Sequence, residues 1–171
     1  IDLAAAYRLA ALNGWDDTGY THLSASVPGQ AGVYLINTFG LGFDEVTASS
    51  LVKVDVRGQG VDGSARAVNP SGFAIHGAVH AARPEAGVAK AAIDHGRLHG
   101  GLGRHAYEGL ALGADEQQRL VNNLGALDGL LLDNHGVLTV GRTVAEAFML
   151  MHILERAAQA LNHHAKSLKG A

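Results

Sequence analysis

The chain predicts a single α/β domain in which a mixed or antiparallel sheet is flanked by helices. Three observations predict it. At 171 residues the chain can bury one full hydrophobic core but not two comfortable ones. Short strand-like runs and helix-like periods are interleaved without the strict alternation of a parallel βαβ fold. No internal repeat, linker or low-complexity tract divides residues 1–171.

The elements follow in order. Asp2 to Asn13 place Leu3, Ala6, Tyr7, Leu9, Ala10 and Leu12 on a helical stripe that Gly14 ends. His22 to Gly29 and Gly32 to Asn37 read as two short strands joined by a turn-forming PGQAG. Thr47 is suited to cap a short helix over Ala48 to Leu51, and LVKVDV then alternates as a strand. RGQGVDGSAR reads as a hairpin tip. Pro70 opens a helix that runs through Ala82 and stops at Pro84. From Ala86 to Gly113 no period is sustained, and five glycines fall between Arg97 and Gly113. ADEQQRLVNNLG then reads as a helix with acidic residues in its first turn. GLLLD and VLTVG are buried-type strands, and a long helix starts at Thr143 and reaches about Lys169.

Composition narrows the functional classes. A formal net charge of −3 provides no electrostatic footprint for nucleic acid or an anionic membrane surface. No apolar run approaches the roughly 20 residues of a membrane-spanning helix, and IDLAAAYRLAALNGW lacks the basic leader of a signal peptide. With no cysteine, thiolate metal sites and disulfides are excluded and a cytoplasmic location is the expectation. Ten histidines make a site worth seeking.

Six segments carry a resemblance, in one order along the chain. They are HLSASVPG, GLGFDEVTASSLVKVD, NPSGFAIHGAVHAARPE, AYEGLALGADEQQRLV, LLLDNHGVLTVGRTVAEAF and the ILERAAQA helix. Together they resemble the class II aldolase/adducin family from end to end. The resemblance implies a three-layer αβα domain with a central sheet, assembled as a homotetramer with sites between neighbours. It implies a zinc-type divalent metal that stabilises an enediolate in the catalytic members, and a small carbonyl or hydroxy-acid substrate. The function implied is thus a metal-dependent lyase that cleaves a carbon–carbon bond or decarboxylates. Adducin heads share the fold without known catalysis, so an adducin-like binding domain without metal is the alternative.

The resemblance also implies site residues. His135, in the NHG turn, matches a metal ligand, and neutral imidazole suits zinc. Tyr107, in HAYEG, matches a proton donor that reaches a neighbour's site, though an ordinary interface aromatic is equally consistent. Gly40, Ser71 and His22 match substrate-contact positions. The two further ligands of the family form a His-x-His pair on the strand after the ARPE helix. Those positions hold Ala91 and Ile93 here, and the segment between about residues 85 and 106 is shorter than the family pattern. Either the metal pair is lost or a stretch is absent from the sequence. His95, His99 and His105 are imaginable replacement ligands, with solvated loop residues as the simpler reading. The family's catalytic acid falls on Gly72, which removes a general base from that position. His76 and His80, one turn apart, read as helix-packing residues or as a metal-compatible pair, with packing the commoner use.

Overall fold

The computed structural model describes residues 1–17, 21–63, 67–83, 87–90, 101–109 and 111–169. Among these, seven strands form one sheet: β1 (Leu23–Ser26), β2 (Val33–Ile36), β3 (Val52–Asp55), β4 (Gly87–Lys90), β5 (Gly103–His105), β6 (Gly129–Leu132) and β7 (Gly136–Gly141). Their spatial order is β3-β2-β1-β4-β7-β6-β5. Every pairing is antiparallel except β5 with β6. The sheet is therefore mixed, as the sequence predicts.

Four helices cover it: α1 (Asp2–Leu12), α2 (Pro70–Ala82), α3 (Ala114–Leu124) and α4 (Val144–Lys169). Side-chain alternation sorts the strands between two layers, because successive residues face opposite sides of a sheet. On β1, Leu23 packs with Leu3, Tyr7 and Ala147 on the α1/α4 face. Ser24 points the other way and meets His76 and His80 of α2. On β7, Leu138 and Val140 join Ile75, Val79, Leu120 and Leu124 in the α2/α3 core. Thr139 between them faces α4, where its hydroxyl donates to the Ala147 carbonyl at 3.0 Å. The result is a three-layer αβα sandwich.

Local signals explain most boundaries. Asn69 caps α2 by accepting the Ser71 N–H at 3.1 Å, with Pro70 in the first helical position. Gly125 follows α3 with φ 49° and its N–H returns to the Val121 carbonyl. The expected short helix over Ala48 to Leu51 does not form. A 3₁₀ turn spans Phe43–Glu45 instead, while the Thr47 hydroxyl accepts the Ser50 N–H at 3.2 Å and closes a turn. Hydroxyl-to-backbone bonds of this kind compete with helix. The stop at Pro84 and the positions Ala91, Ile93, His95 and His99 lie outside the described residues. Among the described residues no helix is long and apolar enough to cross a membrane.

Strand β5 has only three residues and depends on a close approach. A Cβ at Gly103 would lie 2.7 Å from the Asn123 carbonyl oxygen and 2.9 Å from Leu130 Cδ1. Glycine thus lets the end of α3 rest on β5. Gly103→Ala is expected to destabilise the domain by about 1–3 kcal/mol through overpacking. Gly113→Ala, with nothing within 4 Å of the added carbon, is the control, expected to be near neutral in the same urea titration.

Candidate functional site

The β6–β7 hairpin carries the first site residue. Leu132 pairs with Gly136, and the Asp133–Asn134–His135 turn closes through a 3.0 Å bond from the His135 N–H to the Leu132 carbonyl. Asn134 adopts φ 53°, which asparagine tolerates, and Gly136 has φ 117°, which glycine alone takes without strain. This backbone path interrupts the apolar run and sets His135 at the rim of the sheet, half-buried.

Beside the hairpin, β5 lies parallel to β6, with His105 opposite Leu132. The Asp133 N–H donates to the His105 carbonyl at 3.0 Å, and Arg104 Nε reaches Asp133 Oδ1 at 2.8 Å. These bonds pin the end of β5 to the turn. Tyr107, two residues on, therefore lines one cleft with His135. The walls are Ile75, Ala111, Leu120 and Leu132, and the polar lining includes His105, Glu108, Glu116 and Asp133. Tyr107 is 54% exposed at its mouth. The tyrosine that the resemblance assigns to a neighbour's site is among the residues lining this cleft.

His105 is not a solvated loop histidine. It is 4% exposed on β5, and its Nδ1 lies 3.0 Å from Asn123 Nδ2 of α3. Glu116, predicted to serve the α3 dipole, is 9% exposed and lines the same cleft. His105 carries no periodic signal, because a three-residue strand beside glycines has none, whereas Glu116 stands one and two turns before the buried Leu120 and Leu124 on α3. Glu108 is held by both Arg119 Nε and Nη2, and this ion pair lowers its carboxyl below the usual range. Asp133 is likewise held low, by its bond to Arg104.

Gly40, Ser71 and His22 are not among the residues lining that cleft. They gather at the other end, around the start of α2. The Phe39 N–H bonds to the Ala67 carbonyl, bringing the exposed Gly40 turn beside the chain that enters α2. Ser71 donates its hydroxyl to Asn69 at 3.0 Å. His22, 2% exposed, fills the space over Gly72: a Cβ there would lie 2.6 Å from His22 Nε2. The imidazole thus occupies the room that a side chain at the acid position would need.

Deeper along α2, His76 and His80 pack rather than chelate. Ser24 Oγ lies 2.6 Å from His76 Nδ1 and 2.8 Å from His80 Nε2, and Ser26 Oγ is 3.0 Å from His80 Nδ1. Tyr34 stacks on the His80 ring at 4.5 Å. Among the described residues, no three His, Cys, Asp or Glu side chains are set to hold a metal ion. His135, the position the resemblance marks as a ligand, therefore belongs to no such group, and the described donor set does not fit a three-ligand centre.

The comparisons decide the lineage. The sequence matches the family described as Class II Aldolase and Adducin N-terminal domain over residues 1–96 and 92–161. The chain belongs to this family. A Caulobacter vibrioides protein whose name places it in aldolase class 2 is 48% identical, covering 92% of this chain and 68% of its own. Mouse alpha-adducin is 41% identical over 89% of this chain and 24% of its own. A crystal structure of an aldolase II superfamily protein from Pseudomonas syringae superimposes with TM-score 0.84 at 43% identity, covering 94% of this chain and 72% of that one. The Caulobacter match spans 176 residues yet occupies 92% of a 171-residue chain, so about 19 positions have no counterpart here. The corresponding shortfall against alpha-adducin is about 21. The family match breaks and overlaps at residues 92–96, within the segment that reads as short.

Burial holds the His80 pKa down to about 4, against 6.5 for the free side chain. The unfolded chain therefore takes up this proton first as pH falls, and stability declines from about pH 6.5 toward 4. The contribution is on the order of 3 kcal/mol across that window. Urea titrations at pH 7 and pH 4.5 are expected to show the loss, and His80→Gln is expected to flatten it.

Proposed function

We propose that the cleft at the β6–β7 turn is the substrate end of a class II aldolase-type lyase site, taking a small carbonyl or hydroxy-acid compound. The carrying observation is that Tyr107, just after β5, and His135, in the β6–β7 turn, line one cleft with an apolar wall. Tyr107 supplies a hydroxyl at the mouth, where it can donate a hydrogen bond to the oxygen of the bound carbonyl compound. Gly40, Ser71 and His22 are proposed to contact the far end of a longer substrate.

The metal end is proposed to be incomplete in this chain. In the family reaction a divalent metal of the zinc type polarises the carbonyl. His135 is the only family ligand position filled by a ligand, since the His-x-His positions hold Ala91 and Ile93. A catalytic zinc takes about three protein ligands. The chain is therefore proposed to bind its carbonyl compound without cleaving it, as a lyase scaffold lacking an internal stretch. The adducin-like reading, a binding domain without metal, is favoured by the same two residues and by glycine at position 72. Assembly as a homotetramer is proposed from the family alone.

Metal analysis after metal-replete expression is expected to find less than about one-tenth equivalent of zinc, manganese, iron or cobalt, because a filled structural or catalytic site retains its ion. Inserting a family His-x-His stretch of about 20 residues after Lys90, the length the alignments lack, is expected to bring binding toward one equivalent. His135→Ala in that variant is expected to abolish it. Near-stoichiometric metal in the native chain would overturn the incomplete-site reading.

A further inference from the structure

Beneath α2, hydroxyls of β1 and imidazoles of α2 alternate in one unbroken line. Ser26 Oγ lies 3.0 Å from His80 Nδ1, His80 Nε2 lies 2.8 Å from Ser24 Oγ, and Ser24 Oγ lies 2.6 Å from His76 Nδ1. The line starts near the surface. Ser26 is half-buried and, with Asp2, Gln30, Arg142 and Thr143, lines a cleft of about 520 Å³ where β1 and β7 end. It finishes in the interior at His76, 0% exposed, whose ring stands edge-on to that of His22 with centroids 6.1 Å apart. Tyr34 stacks on His80 and holds its ring between the two serines.

The partners are of an unusual kind for packed histidines. A backbone group or a carboxylate fixes which ring nitrogen carries the proton, whereas a hydroxyl both donates and accepts and fixes neither. Burial keeps His80 neutral near pH 7, so it has one N–H and one lone pair. Ser24 has one hydrogen and can give it to only one of the two rings. If it donates to His76 Nδ1, it accepts from His80 Nε2–H, and Ser26 donates to His80 Nδ1. If it donates to His80 Nε2 instead, His76 Nδ1–H donates to Ser24 and His80 Nδ1–H donates to Ser26. The proton positions of the two rings are therefore tied through one hydroxyl.

We propose that Ser26, His80, Ser24 and His76 form a proton relay from this cleft to the buried His22. A hydronium ion in the cleft gives its proton to Ser26 Oγ, leaving water, as the Ser26 hydroxyl proton passes to His80 Nδ1. The His80 Nε2 proton passes to Ser24 Oγ, and the Ser24 proton passes to His76 Nδ1. His76 releases the proton on its Nε2 to the His22 imidazole, which becomes the cation. One proton enters, one leaves, and the four groups of the line keep their charges. Each passage moves the proton of both rings from Nε2 to Nδ1, and passage in the other direction restores it. The start of α2, where His22 packs over Gly72, thereby gains a proton route through the interior. This route is independent of the carbonyl reading above.

Long-range ¹H–¹⁵N spectra at pH 7 read which nitrogen of each imidazole is protonated, with signals assigned through His76→Gln and His80→Gln. In the native chain both rings are expected to carry the proton on the same nitrogen, or to share one balance between the two. Ser26→Ala, which removes the outer partner of His80, is expected to move the nitrogen signals of both rings, and Ser26→Thr to restore the native pattern. In a Ser24→Ala background the same Ser26→Ala change is expected to move His80 alone. Protons on different nitrogens in the native chain would overturn the relay. So would a His76 signal that ignores Ser26→Ala, or one that follows it equally without Ser24, since the response would then travel through packing. The native and Ser26 results decide the matter by themselves if Ser24→Ala fails to fold.

Discussion

Three residues of parallel pairing organise the functional end of this molecule. β5 meets β6 over Gly103–His105, and the Asp133 N–H carries the ladder one step further onto the His105 carbonyl. That contact and the Arg104–Asp133 bond join the Tyr107 segment to the hairpin turn. The pairing in turn needs α3 to sit close, which Gly103 permits and the Asn123–His105 bond reinforces. A short parallel strand is weak by itself. Its stability comes from the Ile75, Leu120, Leu130 and Leu138 core beneath it.

A second constraint lies across the sheet, where α2 presents polar groups to β1. Ser24 bridges two histidines, Ser26 holds the second from its other nitrogen, and Tyr34 covers it. The His80 imidazole is kept neutral more cheaply than charged, because desolvation penalises the cation. The same interface explains Gly72. With His22 packed over it, a carboxylate cannot be accommodated at that position without displacing the ring. The loss of the acid and the burial of His22 are thus one steric fact seen from two sides.

Much of this was legible in the letters. Pro70 with Asn69 before it marks the start of α2, and the NHG interruption marks the β6–β7 turn, because backbone chemistry sets both. The family resemblance placed His135 at the sheet rim. The glycine-rich stretch hid β5, since three residues cannot display a period and a parallel partner is distant in sequence. His105 accordingly reads as a loop histidine, and tertiary packing alone turns it into the cleft. Thr47 misled for a different reason, since a hydroxyl that can cap a helix can also close a turn.

The lineage and the gap belong together. Relatives carry about 20 more residues in alignments that otherwise cover most of this chain. The central claim is that Tyr107 and His135 of one chain face the same cleft. The chain has no cysteine, so a Tyr107→Cys, His135→Cys variant can be treated with a short bismaleimide and resolved on a denaturing gel. The account predicts cross-linking within single chains, seen as a faster-migrating monomer and confirmed by peptide mapping. Cross-linked dimers without intrachain product would place the tyrosine in a neighbour's site and contradict it.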